Sequence, residues 1–381
     1  MADLLSAKTL RRLLPWVLIV VAALVLPVVL PPFRLNLLGR FLSLGIVALG
    51  IDLIWGYTGM LSLGQGIFFA LGGYALAMHL QLNELKPGEL PEFFSLYGVK
   101  SLPLFWQPFN SPLFTLLCIW VLPALVAGGL GYLVFRNRIK GVYFSILTQA
   151  ALLVFFNFFN GQQKLINGTN GLKTSTARLF GELVGSDVMQ RNLFWLTVVL
   201  AIGAFLLCRW LTRGRFGDAL IAIRDDEPRL RFTGYNPTAY KTLVFAVAGA
   251  MAGVSGALYT IQSGIVSPQY MAVPFSIEMV IWVAVGGRGT LIGALLGAVL
   301  INYAKSLVSE ALPETWLFIQ GGLFLLVVTA LPDGLVGWWR SGGPGRLAAM
   351  VGWPPRTATY PSLDLDPSVQ AEKADLEGGA S

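Results

Sequence analysis

Few side chains in this sequence could carry out covalent or metal chemistry. There is one histidine, His79, and there are two cysteines, Cys118 and Cys208, and all three lie in or at the ends of apolar runs. A metal site needs several such ligands together, and a Ser-His-Asp triad needs an acid and a nucleophile around its histidine. The sequence therefore predicts no catalytic residue and no metal site, and His79 is interpreted as an amphipathic ring at a membrane interface.

Nucleotide chemistry is not indicated either. The glycines of Gly287-Arg-Gly289 could be mistaken for a phosphate-binding turn, but no predicted strand precedes them and no Gly-Lys-Ser/Thr follows. A Walker A sequence is absent from the whole chain. If ATP drives this protein, we expect ATP and its Mg²⁺ to be bound by partner subunits, with no cofactor in this chain.

Polar residues inside the apolar runs carry more information. Asp52 and Glu278 lie within such runs, and Gln65 is a weaker case. A charge in hydrocarbon costs on the order of 3 kcal/mol or more unless it faces protein or water. Two interpretations stay open for them: a polar pathway, or pairing with Tyr, Trp or backbone groups where helices meet. We assign Asp52, Gln65 and Glu278 to a candidate translocation pathway.

The amino-acid composition indicates what kind of structural element contains these polar residues. The chain has 381 residues, of which 55% are hydrophobic and 12% charged, and its mean hydropathy is +0.68. These values exclude an ordinary soluble protein and predict an all-α, multi-pass membrane protein. The net charge of +7 fits Lys and Arg retained on the cytoplasmic side. It implies contact with membrane lipid and no nucleic-acid partner.

The hydropathy pattern predicts about ten transmembrane helices within a permease domain at 1–340. The eighth run has only about a dozen residues, against the roughly 20 of a spanning helix, so it either extends back towards Met271 or is partly re-entrant. The predicted spans are Leu13–Leu30, Leu37–Trp55, Met60–Leu80, Leu113–Phe135, Val142–Phe159, Leu193–Leu211, Thr242–Ile261, Phe275–Val285, Leu291–Ala304 and Trp316–Trp338.

Most of the 27 Lys and Arg fall on one side of this topology. The positive-inside rule then makes both termini cytoplasmic, in a multi-pass protein of the bacterial plasma (inner) membrane. The segments at about 81–112 and 160–191 become external loops, and 212–241 becomes a cytoplasmic segment. Beyond Ser341 the chain is rich in Gly, Pro, Ser and acidic residues, which predicts a disordered cytoplasmic tail at 341–381.

The 212–241 segment is charged but has an apolar centre. Gly217 and Asp218 could begin a short helix, and Pro228 biases Glu227 away from helical geometry. A two-turn helix with an apolar patch, Ala219 to Ile223, suits insertion into a groove on a soluble partner. The alternative is a solvated loop that merely obeys the positive-inside rule.

Three stretches of this sequence resemble signatures of one family, the permease subunits of branched-chain amino acid and urea ABC importers. They are TRGRFGDALIAIRDDEPRLRFTGYN (212–236), GYTGMLSLGQGIFFALGGYALA (56–77) and VGGRGTLIGALLGA (285–298). The resemblance extends from about Leu37 to Gly337. The insertion at 81–111 and FFNFFNGQQKLINGTNGL (155–172) look more like the urea (UrtC) type than the amino acid (LivM) type.

The resemblance implies a permease of the type II ABC importer fold and a non-catalytic role. Its implied partners are a homologous permease subunit in a heterodimer, two ABC ATPase subunits that bind ATP and Mg²⁺, and a periplasmic solute-binding protein. By matching position, the ATPase-coupling residues would be Gly217, Asp218, Ala219, Ile223, Arg224, Asp225 and Glu227.

The identity of the transported substrate is argued from the charged residues of the spans and from the resemblance. No Lys or Arg lies deep in the predicted spans, whereas carboxylates would accept hydrogen bonds from the N–H groups of urea. Together with the resemblance this favours urea transport, with branched-chain amino acids as the alternative. A hypothesis from another class is an ion-coupled secondary carrier or passive channel that uses Asp52 and Glu278.

Overall fold

The computed structural model describes residues 25–85, 89–179, 181–311, 315–330 and 334–340. The chain divides into two compact units, 1–337 and 338–381, and only residues 338–340 of the second are described. Most of the predicted first span, 13–30, and the whole predicted tail, 341–381, lie outside the described residues.

Helices make up most of the described chain, because a helix satisfies its own backbone groups where no water is present. They are α1 (Pro32–Thr58), α2 (Gln65–Asn83), α3 (Glu92–Leu96), α4 (Pro112–Arg136), α5 (Val142–Gly161), α6 (Gln163–Ile166), α7 (Asp187–Leu211), α8 (Gly214–Phe232), α9 (Pro237–Ser263), α10 (Val273–Gly286), α11 (Leu291–Ala311), α12 (Trp316–Ala330) and α13 (Gly334–Arg340). Turns of 3₁₀ helix occur at Gln107–Asn110, Gly168–Asn170 and Pro268–Met271, and two-residue strands are β1 (Leu172–Lys173), β2 (Arg178–Leu179), β3 (Glu182–Leu183) and β4 (Ile265–Val266).

Within the described residues, six helices are long and apolar enough to cross a membrane: α1, α4, α5, α7, α9 and α11. The predicted α-helical membrane architecture is therefore confirmed, but a total of about ten spans is not. Helix α2 has 19 residues but is less apolar, and α10 and α12 are shorter apolar helices.

Helices α1, α2 and α9 form the core, because glycines let their backbones approach closely. A Cβ at Gly72 of α2 would overlap the Gly253 carbonyl of α9, and one at Gly256 would overlap the Phe69 carbonyl of α2. Gly249 packs in the same way against α4. By contrast, α4, α5 and α7 expose many of their large apolar side chains, as expected of helices that face lipid or another subunit.

The chain between α1 and α2, residues 59–64, is longer than the four-residue gap between the predicted spans Leu37–Trp55 and Met60–Leu80. After Gly59 it runs along α5: the Leu61 carbonyl accepts from Ser145 at 2.7 Å and the Leu63 amide donates to Thr148 at 3.1 Å. Helix α2 therefore begins at Gln65, five residues after the predicted Met60. These side-chain bonds satisfy non-helical backbone that lies beside a membrane helix.

The start of α2 lies at mid-depth along α5. A Cβ at Gly66 would be 3.2 Å from Leu152, which is near the middle of α5, Val142–Gly161. The same Cβ would be 2.5 Å from the Tyr270 carbonyl, in the turn before α10. Helix α10 thus also begins near mid-depth, and its 14 residues span only about 21 Å. Helix α10 begins at Val273, two residues before the predicted Phe275, so the run extends back towards Met271, and partial re-entry stays a prediction.

At the end of the bundle where α2 terminates, the two predicted external loops are held by backbone contacts. Trp106 donates to the Leu165 carbonyl at 2.9 Å, joining one loop to the other. His79 is buried, with Nδ1 2.6 Å from the Phe109 carbonyl oxygen. Strand β1 pairs antiparallel with β4, which connects the second loop to the chain between α9 and α10. His79 therefore has a structural role in the interior.

The glycine contacts predict that alanine substitution changes the unfolding free energy in opposite directions at two positions. Gly256→Ala places a methyl group against a fixed backbone carbonyl, and we expect a loss of about 1–3 kcal/mol of unfolding free energy. Gly129→Ala in α4 meets no atom within 4 Å, and we expect a neutral or slightly stabilising effect because alanine favours helix. Thermal unfolding of the two variants in detergent would measure this. Equal effects would contradict the assigned packing.

Candidate coupling site

The charged 212–241 segment contains helix α8, which begins at Gly214, three residues before the predicted start. The helix is interrupted at Asp226, which has φ −155° and ψ 87°. The Asp226 carboxylate accepts from the Arg229 amide at 3.1 Å, so it caps a second helical piece whose first turn contains Pro228. The predicted break at Pro228 is present, and the non-helical residue is Asp226 rather than Glu227.

The apolar side of α8 faces this chain's own helices. Ala219, Leu220 and Ile223 are buried in the described structure, so the predicted insertion of this patch into a partner's groove does not fit the structure. The reason is that the patch packs beneath the ends of the membrane helices. Among the predicted coupling residues, Gly217, Ala219, Ile223 and Glu227 are buried, whereas Asp218, Arg224 and Asp225 are exposed.

Glu227 fixes the second half of α8 through a cluster of cations. Its carboxylate accepts from Lys241 of α9 at 2.5 Å and from Arg231 at 2.7 Å, and Lys140 of the α4–α5 turn lies at 3.3 Å. The glutamate side chain is only 6% exposed. Burial would by itself raise the pKa of Glu227, but the hydrogen bonds from Lys241 and Arg231 and the charge of Lys140 lower this pKa to about 2.

Arg224 joins the first half of α8 to the end of α1. Its guanidinium donates to the Gly56 carbonyl at 3.0 Å and to exposed Asp225 at 3.0 Å. Gly59, which ends α1 with φ +75°, leaves room for the arginine, because a Cβ there would lie 2.9 Å from the Arg224 Cγ. The arginine thus contacts the turn where α1 stops.

Asp52 lies one turn before Gly56 and binds the break between α10 and α11. Its Oδ1 accepts from the Gly289 amide at 2.6 Å. A Cβ at Gly56 would be 2.5 Å from that oxygen and 2.6 Å from the Gly289 nitrogen, so glycine is required for the approach. The Arg288 guanidinium lies 5.2 Å from the centre of the Trp55 ring. The three sequence signatures therefore meet in one place, which we call the junction: Asp52, Gly56, Arg224 and Gly289.

The predicted pathway residues have separate surroundings. Asp52 belongs to the junction, and Glu278 of α10 forms an ion pair with Lys305 of α11 at 2.5 Å. Gln65 is the first residue of α2 and is buried. Pairing with backbone where helices meet, the alternative interpretation, describes Asp52, whereas the partner of Glu278 is a lysine, which neither interpretation named. Their assignment to a pathway stays a prediction.

Sequence reasoning missed two basic residues that lie within membrane helices, Lys305 and Arg40. We expected no Lys or Arg deep in a span, but α11 extends seven residues beyond the predicted Ala304 and so includes Lys305. Arg40 lies near the start of the predicted span Leu37–Trp55, but α1 begins five residues before Leu37 and places Arg40 in its third turn, where it donates to the Gln262 carbonyl at 2.8 and 3.1 Å. The helix ends extend past the apolar runs because these side chains find partners within the protein.

Comparison with known proteins identifies the family. Residues 33–328 match the family model described as the permease component of the branched-chain amino acid transport system. This range contains all three signatures and every residue of the junction. The chain belongs to this family. It is a multi-pass membrane permease, and its family members are transport subunits.

Several curated relatives are named as branched-chain amino acid permease proteins. The chain is 29% identical over 314 residues to the high-affinity branched-chain amino acid permease protein LivM of Escherichia coli, covering 76% of this chain and 67% of the relative. It is 23% identical to BraD of Pseudomonas aeruginosa, over 77% of this chain and 91% of the relative. It is 22% identical to LivH of Escherichia coli, over 77% of this chain and 90% of the relative. No solved structure matches.

The cation cluster of this permease can be tested by Glu227→Gln, which leaves Lys241 buried without a countercharge. We expect a loss of about 3–5 kcal/mol of stability, typical of a broken buried ion pair. Asp225→Asn is the matched control: its pair with Arg224 is exposed and should contribute at most about 1 kcal/mol. Thermal unfolding of the purified protein measures both.

The low pKa of Glu227 adds a pH dependence to the same comparison. The folded pKa of about 2 lies below the unfolded value of about 4.3, so the stabilisation is fully present above pH 4.3. It decreases as the pH falls towards 2. The stability difference between wild type and Glu227→Gln should therefore decrease as the pH falls from about 4.3 towards 2, because both proteins then have an uncharged side chain at this position. A difference that stayed constant over this range would contradict the assigned cluster.

Proposed function

We propose that this chain is the permease subunit of an ATP-driven importer for branched-chain amino acids. It forms half of a translocation pathway with a homologous permease, two ABC ATPase subunits hydrolyse ATP, and a periplasmic binding protein delivers the substrate. The observation that carries this proposal is the junction, where a solvent-facing helix in a family of transport permeases and a break between membrane helices both bind the end of α1.

The coupling role rests on how α8 is attached. Arg224 holds one half to the end of α1, and Glu227 holds the other half to α9 through Lys241. A movement of α8 would therefore move two core helices together, as expected of rigid-body coupling. The side available to an ATPase is the exposed one, with Asp218, Asp225 and, at the end of the helix, Phe232, which is 92% exposed.

The substrate proposal follows the relatives. LivM, LivH and BraD are all named as branched-chain amino acid permeases, and this supports the alternative of the sequence analysis over urea. The comparisons give no support for urea specifically. Urea stays a second candidate because the insertion at 81–111 and the stretch at 155–172 resemble the urea type.

A secondary carrier or passive channel is less well supported. That hypothesis uses Asp52 and Glu278 as exchangeable ion sites, yet one accepts a backbone hydrogen bond and the other is paired with Lys305. Family membership also favours a subunit that works with ATPases.

Vesicle uptake by the intact complex tests the proposal. Wild-type complex with its binding protein should accumulate radiolabelled leucine only when ATP is supplied, and should not accumulate urea. Uptake of urea alone would overturn the proposed substrate, and uptake without ATP would overturn the proposed class of transporter.

In the same assay, Arg224→Glu should lower ATP-dependent uptake by about 10- to 100-fold, since a charge-assisted hydrogen bond contributes about 1.5–3 kcal/mol.

The exposed side of α8 has its own test. Phe232→Ser should reduce co-purification of the ATPase subunits, because an exposed aromatic ring is a typical anchor of an interface. Leu104→Ser is the control: Leu104 is 82% exposed but lies in the 81–112 loop, and its substitution should leave co-purification unchanged. Ile223 is unsuitable for this purpose because it is buried.

A further inference from the structure

Buried polar atoms without hydrogen-bond partners are concentrated on four helices of this protein. Among the described residues, such side-chain atoms all lie on α1, α2, α9 and α10: Asp52, Gln65, Tyr74, Gln81, Thr242, Thr260, Ser276 and Trp282. A buried polar group without a partner costs about 1–3 kcal/mol. Each such group in a native protein calls for an explanation, such as a bound ligand, ion or water.

The densest part of this set is at the start of α2. Gln65 is the first residue of the helix and is 1% exposed, yet neither of its amide atoms has a partner among the described residues. The Ser276 hydroxyl, 2% exposed, also has none there, and it lies 3.2 Å from where a Cβ of Gly66 would be. Two buried polar side chains therefore flank the first turn of α2.

The backbone at this place adds donors. The first N–H groups of a helix have no partner inside the helix, and α2 has no side-chain cap at Gly64. The start of a helix also carries a partial positive charge. Gly66 lets the first turn of α2 pack closely against the turn before α10, because any Cβ there would be 2.5 Å from the Tyr270 carbonyl oxygen.

The position in the bundle fits a transported ligand. The first turn of α2 lies beside Leu152, near the middle of α5, and α10 begins next to it after Tyr270. From here α2 leads to the end that contains His79 and Phe109, whereas α10 leads to the junction at Gly289. Helices that start at mid-depth and run to opposite ends are a known way to build a site in a transporter.

We propose that the first turn of α2, with Gln65 and Ser276, binds the carboxylate of the transported amino acid midway through the permease. The Gln65 amide N–H, the Ser276 hydroxyl and the free N–H groups of the helix donate to the carboxylate oxygens. No arginine or lysine is needed, since the helix start supplies the positive potential. This deepens the proposed function and rests on it, because it assumes an amino acid substrate.

Binding of radiolabelled leucine to the purified complex of both permeases and ATPases, without the binding protein, tests the site. Gln65→Glu puts a negative charge beside the carboxylate, and Ser276→Ala removes a donor. We expect Gln65→Glu to weaken leucine binding by at least about tenfold and Ser276→Ala by about threefold to tenfold. Leucinol, which lacks the carboxylate, should not compete.

Two matched variants separate this effect from damage to the fold. Gln149→Glu introduces the same charge on α5, at a half-buried position, and should leave leucine binding within twofold of wild type. Ser255→Ala removes a buried hydroxyl that already donates to the Ser43 carbonyl at 2.7 Å, and should lower stability without changing affinity.

The outcomes distinguish this inference from the proposed function. If wild type shows ATP-dependent leucine uptake but Gln65→Glu and Ser276→Ala bind leucine within twofold of wild type, the site is wrong and the function stands. Competition by leucinol as strong as by leucine, or no saturable leucine binding by wild type, also overturns the site. If uptake of leucine fails altogether and urea is taken up, both are overturned.

Discussion

A hydrogen bond from the Gly289 amide to buried Asp52 holds the break between α10 and α11 against the last turns of α1. Non-helical backbone at the end of a membrane helix needs such a partner, because lipid offers none. Gly56 makes the approach possible, and its carbonyl is free to accept from Arg224 on the other side. One short stretch of α1 thus binds both a membrane break and the charged helix outside it.

The need for glycine where backbones approach closely also explains why the core consists of α1, α2 and α9. Their glycines allow backbone-to-backbone packing, which leaves little space for side chains to adjust. A tightly packed core transmits displacement rather than absorbing it. The attachment of α8 at two points, by Arg224 to α1 and by Glu227 to α9, is then mechanically connected to the region where α2 and α10 begin.

Much of this arrangement could be predicted from the sequence. The apolar runs located most of the long helices, and Pro228 indicated an interruption in α8. The three family signatures identified the segments that meet at the junction. Each of these signals is local, since it depends on a few consecutive residues and on the physics of one helix.

What could not be predicted is what each polar or apolar face contacts. The partner of Asp52 is 237 residues away, and no local pattern indicates it. The sequence of α8 has the same apolar side whether that side covers this chain's own helices or a partner. The predicted insertion of this side into a partner's groove was therefore wrong. The late start of α2 depends on Ser145 and Thr148 of another helix. Lys305 was missed because its carboxylate partner lets a charged residue remain in a membrane helix.

The pairing of β1 with β4 has a consequence for communication across the membrane. Leu172 in the loop after α5 lies opposite Val266, only seven residues before α10 begins at Val273. A protein that bound this loop from outside the membrane would hold the backbone that leads into α10 without entering the bilayer. Helix α10, which connects β4 to the break at Gly289, would then transmit a movement from one face of the membrane to the other.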